Sequence, residues 1–278
     1  MMLRRDVRPA AVAGSWYPSN PAQLEAAVDV HLAAVAPASQ DLCPRALIAP
    51  HAGLMYSGPV AAHAYALVRG CQYSAVVLVG PSHFVAFQGV SIWPRGAWET
   101  PFGDVPVAEK LAVAIAERSR DVTERPAAHS REHSLEMQLP FIARLLPNVP
   151  IVPLVMGHQT RATARDLGRT LAAALEAHGE REVLIVASSD LSHYEDAATA
   201  SKLDAIVLEC VAEFSAERLM DALEHEPRHA CGGGPMVSVL SAASQLGCTR
   251  SQVLQYGDSG DVSGDKSAVV GYMAAAIW

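Results

Sequence analysis

Ala75-Val-Val-Leu-Val-Gly-Pro-Ser-His83 is one of three stretches that decide the fold, an apolar run that ends in glycine, proline and serine and then in histidine. Arg45-Ala-Leu-Ile-Ala-Pro-His51 and Val183-Leu-Ile-Val-Ala-Ser-Ser-Asp190-Leu-Ser-His193 follow the same plan. Short Val, Ile and Leu runs bounded by such residues are typical of strands buried on both faces of a parallel sheet. In open α/β sheets, ligands bind just beyond the carboxyl ends of such strands. The pattern therefore predicts that these polar tips converge on one crevice.

Apolar runs alternate with amphipathic segments along the rest of the chain, in the order that βαβ units require. Further strands are predicted at 89–93, 151–156, 253–256 and 268–274, and helices at 58–68, 107–118, 134–146, 162–177 and 233–246. The fold class expected is α/β, with a central, mostly parallel sheet flanked by helices on both faces. No linker rich in Pro, Gly or Ser and no run of charge divides residues 1–278, so a single domain is expected.

Composition narrows the class of protein. The chain has 278 residues, 50% of them hydrophobic, and a net charge of -8. Its basic residues are scattered, which argues against nucleic acid as a partner. No apolar segment follows the first residues, and the longest apolar stretches contain Pro, Gly or His, so neither a signal peptide nor a membrane span is expected.

The cysteines are five in number, widely spaced and without a CxxC pair. This pattern argues against a disulfide framework and against a zinc ribbon. We interpret Cys43, Cys71, Cys210 and Cys248 as buried filler residues, and a reducing cytoplasm is the expected location.

The two histidines at strand ends predict a metal site. A lone histidine there would more often cap a helix or bond a carbonyl group, but His83 matches His51 in its position after a strand. Two neutral imidazoles suit Fe, Cu or Zn, and a third protein ligand with one open position would make the site catalytic rather than structural.

Cys231 is the candidate for the third ligand. It lies in His229-Ala-Cys-Gly-Gly-Gly-Pro235, just before an apolar helix. A helix N-terminus is expected to lower the pKa of a thiol and to favour the thiolate, which is the form that binds metals.

Asp190 and His193 are three residues apart. If a helical turn begins there, both side chains face the same way. Asp190 could instead serve only as an N-cap. A histidine held by a carboxylate in a metal crevice is suited to act as general base, so we predict that His193 moves protons and that Asp190 orients it.

Two further segments are candidates for lining the pocket. Glu132 and His133 stand at the start of a predicted helix, with Glu136 one turn beyond; such spacing also occurs on solvated helix faces, so we expect a pocket-lining role rather than direct ligation. Trp16 and Tyr17 could close a pocket or fasten the N-terminal segment to the core, and the second interpretation is favoured.

Several ordered motifs together resemble the Memo-like family, which in prokaryotes is also named AmmeMemoRadiSam system protein B. The motifs are Ala13-Gly-Ser-Trp-Tyr17, Ala49-Pro-His-Ala-Gly53 with Tyr56-Ser-Gly58, Gly80-Pro-Ser-His83, Glu132-His-Ser-Leu-Glu-Met-Gln-Leu-Pro140, Ser188-Ser-Asp-Leu-Ser-His193 and Cys231-Gly. The match runs from near residue 8 to the C-terminus.

The resemblance implies a fold similar to the class III extradiol dioxygenases (LigB-like), which hold non-haem iron on two histidines and a glutamate. It implies that His51 and His83 take the histidine positions, that Cys231 takes the glutamate position and that His193 takes the position of the base. A thiolate in the third place softens the site and favours copper or an altered iron site, which argues against extradiol ring cleavage.

Three functions stay open from the sequence. The first is an oxidoreductase with one metal ion, Fe(II) or Cu, at His51, His83 and Cys231. The second is a non-catalytic module that binds a small molecule or peptide in the crevice near Trp16 and Tyr17. The third is a zinc hydrolase in which His193 or Glu132 activates water. The prokaryotic family name also suggests association with a radical SAM protein.

Overall fold

We describe a computed structural model of the chain over residues 6–36, 43–179 and 182–278. The strands are β1 (Val7–Arg8), β2 (Ala46–Ala49), β3 (Ala75–Pro81), β4 (Val90–Ile92), β5 (Ala97–Trp98), β6 (Val105–Pro106), β7 (Val122–Glu124), β8 (Ile151–Met156), β9 (Val183–Ser188), β10 (His193–Glu195), β11 (Ser251–Asp258) and β12 (Val269–Ile277). The helices are α1 (Pro21–Ala33), α2 (Leu54–Tyr65), α3 (Glu109–Ala116), α4 (Pro126–Ser130), α5 (Leu139–Leu145), α6 (Arg161–His178), α7 (Ala197–Ala212), α8 (Ala216–His225), α9 (Gly233–Gln245) and α10 (Gly260–Ser263). Short 3-10 turns cover Ala66–Val68, Glu136–Gln138 and Pro227–His229.

Nine strands of the described residues form the main sheet, in the order β10-β12-β2-β9-β3-β8-β4-β7, with β11 paired to β12. The four central strands, β2, β9, β3 and β8, run parallel. β12 is antiparallel to β2, β10 and β11, and β4 is antiparallel to β8. The fold is therefore α/β, as predicted, but the sheet is mixed, and the expectation of a mostly parallel sheet holds only for its centre.

A small second sheet forms close to the N-terminal segment. β1 pairs in parallel with β5, and β5 pairs antiparallel with β6. The Arg8 side chain is buried here, with its guanidinium carbon 4.1 Å from the centre of the Trp98 ring. This cation–π contact holds the N-terminal segment against the core at Trp98.

The predicted strands are found with close bounds. Four of them, β2, β3, β8 and β9, are apolar runs that are buried along their whole length. Two helices differ. α2 begins at Leu54, earlier than predicted, and tolerates Pro59 inside it. The predicted helix at 134–146 is a 3-10 turn followed by α5, in which Pro140 lies in the first turn, where its missing N–H costs little.

The cysteine interpretation needs one correction. Cys43 and Cys71 form a disulfide with a Cα–Cα distance of 5.8 Å, so they are not free filler residues. Cys210 is a buried free cysteine, as interpreted, whereas Cys248 is free and only partly buried. Within the described ranges, no helix has the length and apolar character that crossing a bilayer requires.

Candidate metal centre

Three adjacent strands of the main sheet present the predicted polar tips. His51 lies just after β2, His83 just after β3, and Asp190 just after β9, which runs between those two strands. Because the three strands are parallel, their carboxyl ends meet at the same edge. The ring centres of His51 and His83 are 5.3 Å apart. The predicted crevice is therefore formed.

Cys231 also lies at this edge, although it is far from His51 and His83 in the sequence. It precedes α9, whose N-cap is Gly232, and its sulfur lies 3.2 Å from His51 Nε2. A side chain at position 232 would overlap the carbonyl oxygen of Ser188, so only glycine lets the start of α9 approach β9 this closely. Potential ligand atoms of His51, His83 and Cys231 all lie within 4.8 Å of one another.

These residues fit a single metal ion. A tetrahedral ion with a metal–sulfur distance of about 2.3 Å and a metal–nitrogen distance of about 2.0 Å separates the two ligand atoms by roughly 3.5 Å. The 3.2 Å between Cys231 Sγ and His51 Nε2 is close to that separation. Burial, followed by the nearby His83, lowers the pKa of His51 well below its usual range, so this imidazole is neutral and able to bind a metal at neutral pH.

The expectation of a lowered thiol pKa is wrong. Burial raises the pKa of Cys231, and the neighbouring Asp190 carboxylate raises it further, which outweighs the effect of the α9 N-terminus. The free thiol is protonated at neutral pH. A metal ion bound here must therefore displace the thiol proton.

Glu132 holds His83. Its carboxylate accepts the backbone N–H of His83 at 2.6 Å and lies 2.9 Å from His83 Nδ1. It also accepts the backbone N–H groups of His133 and Ser134, each at 2.9 Å. Burial alone would raise the pKa of Glu132, but the hydrogen bonds from His83 and Ser134 outweigh it and lower the pKa to about 2. As an anion, Glu132 can only accept, so His83 carries a proton on Nδ1, and Nε2 is the ring nitrogen left to bind a metal.

His83, Glu132 and His133 form a second cluster whose possible ligand atoms also lie within 4.8 Å of one another. The hydrogen bonds just described occupy both carboxylate oxygens of Glu132. A metal ion in this cluster would have to break several of them. The geometry therefore favours the site with Cys231, and Glu132 supports His83 through these hydrogen bonds; its predicted role in lining the pocket stays a prediction.

Asp190 and His193 lie at this edge, but not on a helical turn. His193 begins β10 instead. Asp190 is buried and accepts the backbone N–H of His51 at 2.6 Å. The carbonyl oxygen of Leu191, 2.8 Å away, accepts the Nδ1–H of His193. Leu191, rather than Asp190, therefore provides the hydrogen bond that orients His193, and Nε2 is the ring nitrogen left for proton exchange.

His133 forms one wall of the crevice. Its ring stacks on His83 with centres 4.6 Å apart, and Trp16 lies 4.3 Å away on another side. Burial and then the nearby His51 lower the pKa of His133 to about 4, so it is neutral at physiological pH. Trp16 therefore belongs to the pocket, whereas the favoured interpretation had given it a fastening role.

Tyr17 fastens the N-terminal segment. Its buried hydroxyl donates a hydrogen bond to Glu136, 2.8 Å away. Glu136 also pairs with Arg8 at 2.6 Å and accepts the backbone N–H of Val12. These contacts of the fully buried Glu136 carboxylate hold in place the segment in which Trp16 contacts His133. The role of Glu136 was not predicted from the sequence. Its helical spacing from His133 does not reveal that its carboxylate points away from the crevice.

A cavity of about 530 Å³ lies beside the cluster of His51, His83 and Cys231. It is lined by Ala52 and Gly53, which follow His51, and by the aromatic residues Trp16, Tyr56 and Tyr272. Sequence reasoning did not single out Tyr56 or Tyr272 as pocket residues, although Tyr56 follows His51 by five residues. The cavity gives the site room for an organic ligand.

Comparisons with known proteins agree with these motifs. The family model described as Memo-like protein matches residues 8–276. A MEMO1 family protein of Methanocaldococcus jannaschii is 36% identical over 285 residues, covering 98% of this chain and 99% of its own. A MEMO1 family protein of Pyrobaculum aerophilum is 40% identical over 279 residues, with the same coverage of 98% and 99%.

Among solved structures, a similar one is the crystal structure of an uncharacterized protein of Escherichia coli. It has a TM-score of 0.56 and 18% sequence identity, and the match covers 82% of this chain and 98% of that chain. At this identity the likeness shows the fold alone.

Proposed function

Because the chain belongs to the Memo-like family, and because its described residues bring two imidazoles and a thiol together, we propose that it is a metal-dependent oxidoreductase. One ion, Fe(II) or Cu, binds to His51, His83 and Cys231. The observation that supports this most is the 3.2 Å separation of Cys231 Sγ from a bare imidazole nitrogen of His51. Nitrogen and thiolate ligands together favour these redox-active metals and also suit zinc.

A bound iron or copper ion would supply one-electron chemistry and an open coordination position. The chain's own residues prepare the rest of the site. His193, oriented by the Leu191 carbonyl, offers Nε2 as a proton acceptor beside the metal ligands. Asp190 fixes the backbone at His51, and His133 and Trp16 form an aromatic wall against which a substrate can stack.

The first experiment measures metal content by mass spectrometry on protein purified anaerobically without added metal. We expect near-stoichiometric Fe or Cu in the wild type and its loss in His51→Ala, His83→Ala and Cys231→Ser. The matched controls are His63→Ala and Cys248→Ser, which change the same residue types away from the site and should keep the metal. Metal-free wild type that cannot be loaded would contradict the proposal.

Redox turnover needs a separate measurement. Consumption of dioxygen with a supplied reductant should require the metal and should fall in His193→Gln without loss of metal. Zinc in the wild type, with hydrolysis that needs no dioxygen, would favour the zinc hydrolase instead.

A second candidate function is binding of a small molecule or peptide without catalysis. The observation that favours it is the cavity of about 530 Å³ with Trp16, Met55 and Tyr56 in its wall, since Met55 is 61% exposed. Ligand binding that survives in Cys231→Ser would support it. Kinship with the LigB-like dioxygenases and association with a radical SAM protein stay predictions; the site's position at the ends of parallel strands is consistent with the former.

A further inference from the structure

Ser188 ends β9 and is fully buried beside His51. Three polar atoms surround its hydroxyl oxygen: the carbonyl oxygen of Ser134 at 2.6 Å, Nε2 of Gln138 at 2.8 Å and Nδ1 of His51 at 2.9 Å. A serine hydroxyl has one proton to donate and two lone pairs that accept. The three contacts therefore use its whole hydrogen-bonding capacity.

The direction of each bond follows from the chemistry of its partner. The Ser134 carbonyl can only accept, so the hydroxyl proton points to it. The amide of Gln138 is also fixed in orientation, because its Nε2 lies 3.1 Å from the carbonyl oxygen of Pro50, which can only accept. Tyr65 then donates its hydroxyl proton to Gln138 Oε1 at 2.8 Å.

With one lone pair of Ser188 taken by Gln138, the other faces His51 Nδ1, which must supply the hydrogen. We infer that Ser188, held by Gln138, is a positioning residue that fixes His51 as the Nδ1–H tautomer and turns its bare Nε2 to Cys231. This inference rests on the proposed function for its consequence, since Nε2 is the atom assigned to the metal. The thiol proton of Cys231 can meanwhile be donated to the same nitrogen.

The alternative tautomer has a definite cost. If His51 carried its proton on Nε2, Ser188 would have to donate to Nδ1, and the buried Ser134 carbonyl would lose its partner. An unpaired buried polar group is costly, so this tautomer is disfavoured. Partners of this kind, behind a metal-binding histidine, typically change metal affinity by roughly 10-fold to 100-fold when they are removed.

Two readouts test the inference on the intact chain. The first is ¹⁵N NMR of the metal-free protein, with His51→Ala used for assignment, because the two tautomers give different nitrogen shifts. The second is anaerobic titration with Co²⁺, whose thiolate absorption band reports Cys231. We expect a single Nδ1–H form of His51 in the wild type. Ser188→Ala should give mixed tautomers and an affinity for Co²⁺ lower by roughly 10-fold to 100-fold.

Gln138→Met keeps the size of the side chain and removes only its hydrogen bonds, so it should shift both readouts in the same direction but less. Ser91→Ala is the matched control, because Ser91 is a buried serine bonded to His129, a histidine outside the site. It should change neither the tautomer of His51 nor the affinity for Co²⁺.

The outcomes separate this inference from the proposed function. An Nε2–H form of His51 in the wild type, or Ser188→Ala with unchanged tautomer and affinity, would overturn the inference. Wild type that binds no Co²⁺ would instead count against the metal site, while the tautomer in the metal-free protein still decides the role of Ser188.

Discussion

At the scale of single residues, the hydrogen-bond partner of each imidazole Nδ1 determines how the site is organised. His51, His83 and His193 each direct Nδ1 to a partner, which is a hydroxyl, a carboxylate and a backbone carbonyl respectively. All three therefore carry a proton on Nδ1. Nε2 is then the ring nitrogen that can bind a metal or exchange a proton.

Glu132→Gln should weaken this arrangement. Glutamine has the same shape, but its NH₂ group is a donor. It would face N–H groups that now donate hydrogen bonds to the carboxylate, among them Nδ1–H of His83. We expect Co²⁺ affinity to fall roughly 10-fold to 100-fold and the free energy of unfolding to fall by about 1–3 kcal/mol. Metal titration and urea denaturation measure the two effects. Glu124→Gln, at an exposed partner of Arg95, should change neither; equal affinity in Glu132→Gln would show that His83 does not depend on the carboxylate.

His129 should make stability depend on pH. Burial and then the charge of Arg8 lower its pKa to about 3, whereas an imidazole in the unfolded chain has a pKa of about 6.5. Between these values the unfolded chain binds a proton that the folded chain does not. Its contribution to stability is therefore complete above about pH 6.5 and is lost as the pH falls toward about 3, at up to about 1.4 kcal/mol per pH unit.

The measurement is the free energy of urea unfolding at about pH 7 and about pH 5, for the wild type and for His129→Gln. The difference between the two proteins isolates this histidine from other titrating groups. The variant should lose less stability between the two pH values; an equal loss in both proteins would mean that His129 is protonated in the folded state.

At the scale of elements, the close contact of α9 with β9 places Cys231. Gly232→Ala would press a methyl group against the Ser188 carbonyl, so α9 must move and Cys231 with it. We expect a loss of about 1–3 kcal/mol in unfolding free energy and weaker metal binding.

Gly233→Ala is the control for Gly232→Ala, because its methyl group meets only the movable end of the Leu223 side chain, at 2.5 Å. Thermal unfolding and Co²⁺ titration compare the two, and equal behaviour would contradict the role given to Gly232.

The elements also show what the sequence could predict. The tips at His51 and His83 were predictable, because fully buried runs mark strands and parallel strands end at one edge. The turn expected at Asp190 was not formed, since His193 pairs with Val270 of β12, a partner that local periodicity cannot reveal. Glu136 and Ser188 were missed for the same reason: their partners Arg8 and His51 are distant in the sequence.

At the scale of the whole molecule, a disulfide closes a loop that contains His51, the first of the proposed metal ligands. The disulfide between Cys43 and Cys71, with a sequence separation of 28, spans β2, His51 and α2. Widely spaced cysteines without a motif gave no sign of it, because pairing depends on where β2 starts relative to the end of the turn after α2. The mixed sheet likewise depends on pairings that local patterns do not show, namely β12 with β2 and β4 with β8, both antiparallel.

Removing this disulfide should lower stability. A loop of this length predicts a loss of about 3 kcal/mol in unfolding free energy for the Cys43→Ser/Cys71→Ser double variant. Urea denaturation without a thiol reductant measures it, and Cys248→Ser, at a free cysteine, serves as the control. Wild type treated with reductant should match the double variant; a double variant as stable as the wild type would show that the bond contributes nothing.

The position of β12 in the sheet determines how much of the sheet and of the proposed site can form during synthesis. This strand lies between β10 and β2 and also pairs with β11, although it leaves the ribosome after every other strand of the sheet. A nascent chain that has already exposed His51 and His83 thus lacks both Cys231 and the strand that covers β2. Translation proceeds at about 5–20 residues per second, so metal acquired early in synthesis would meet an incomplete set of ligands. Loading of the proposed metal site is therefore expected only after Cys231 and β12 have been synthesised.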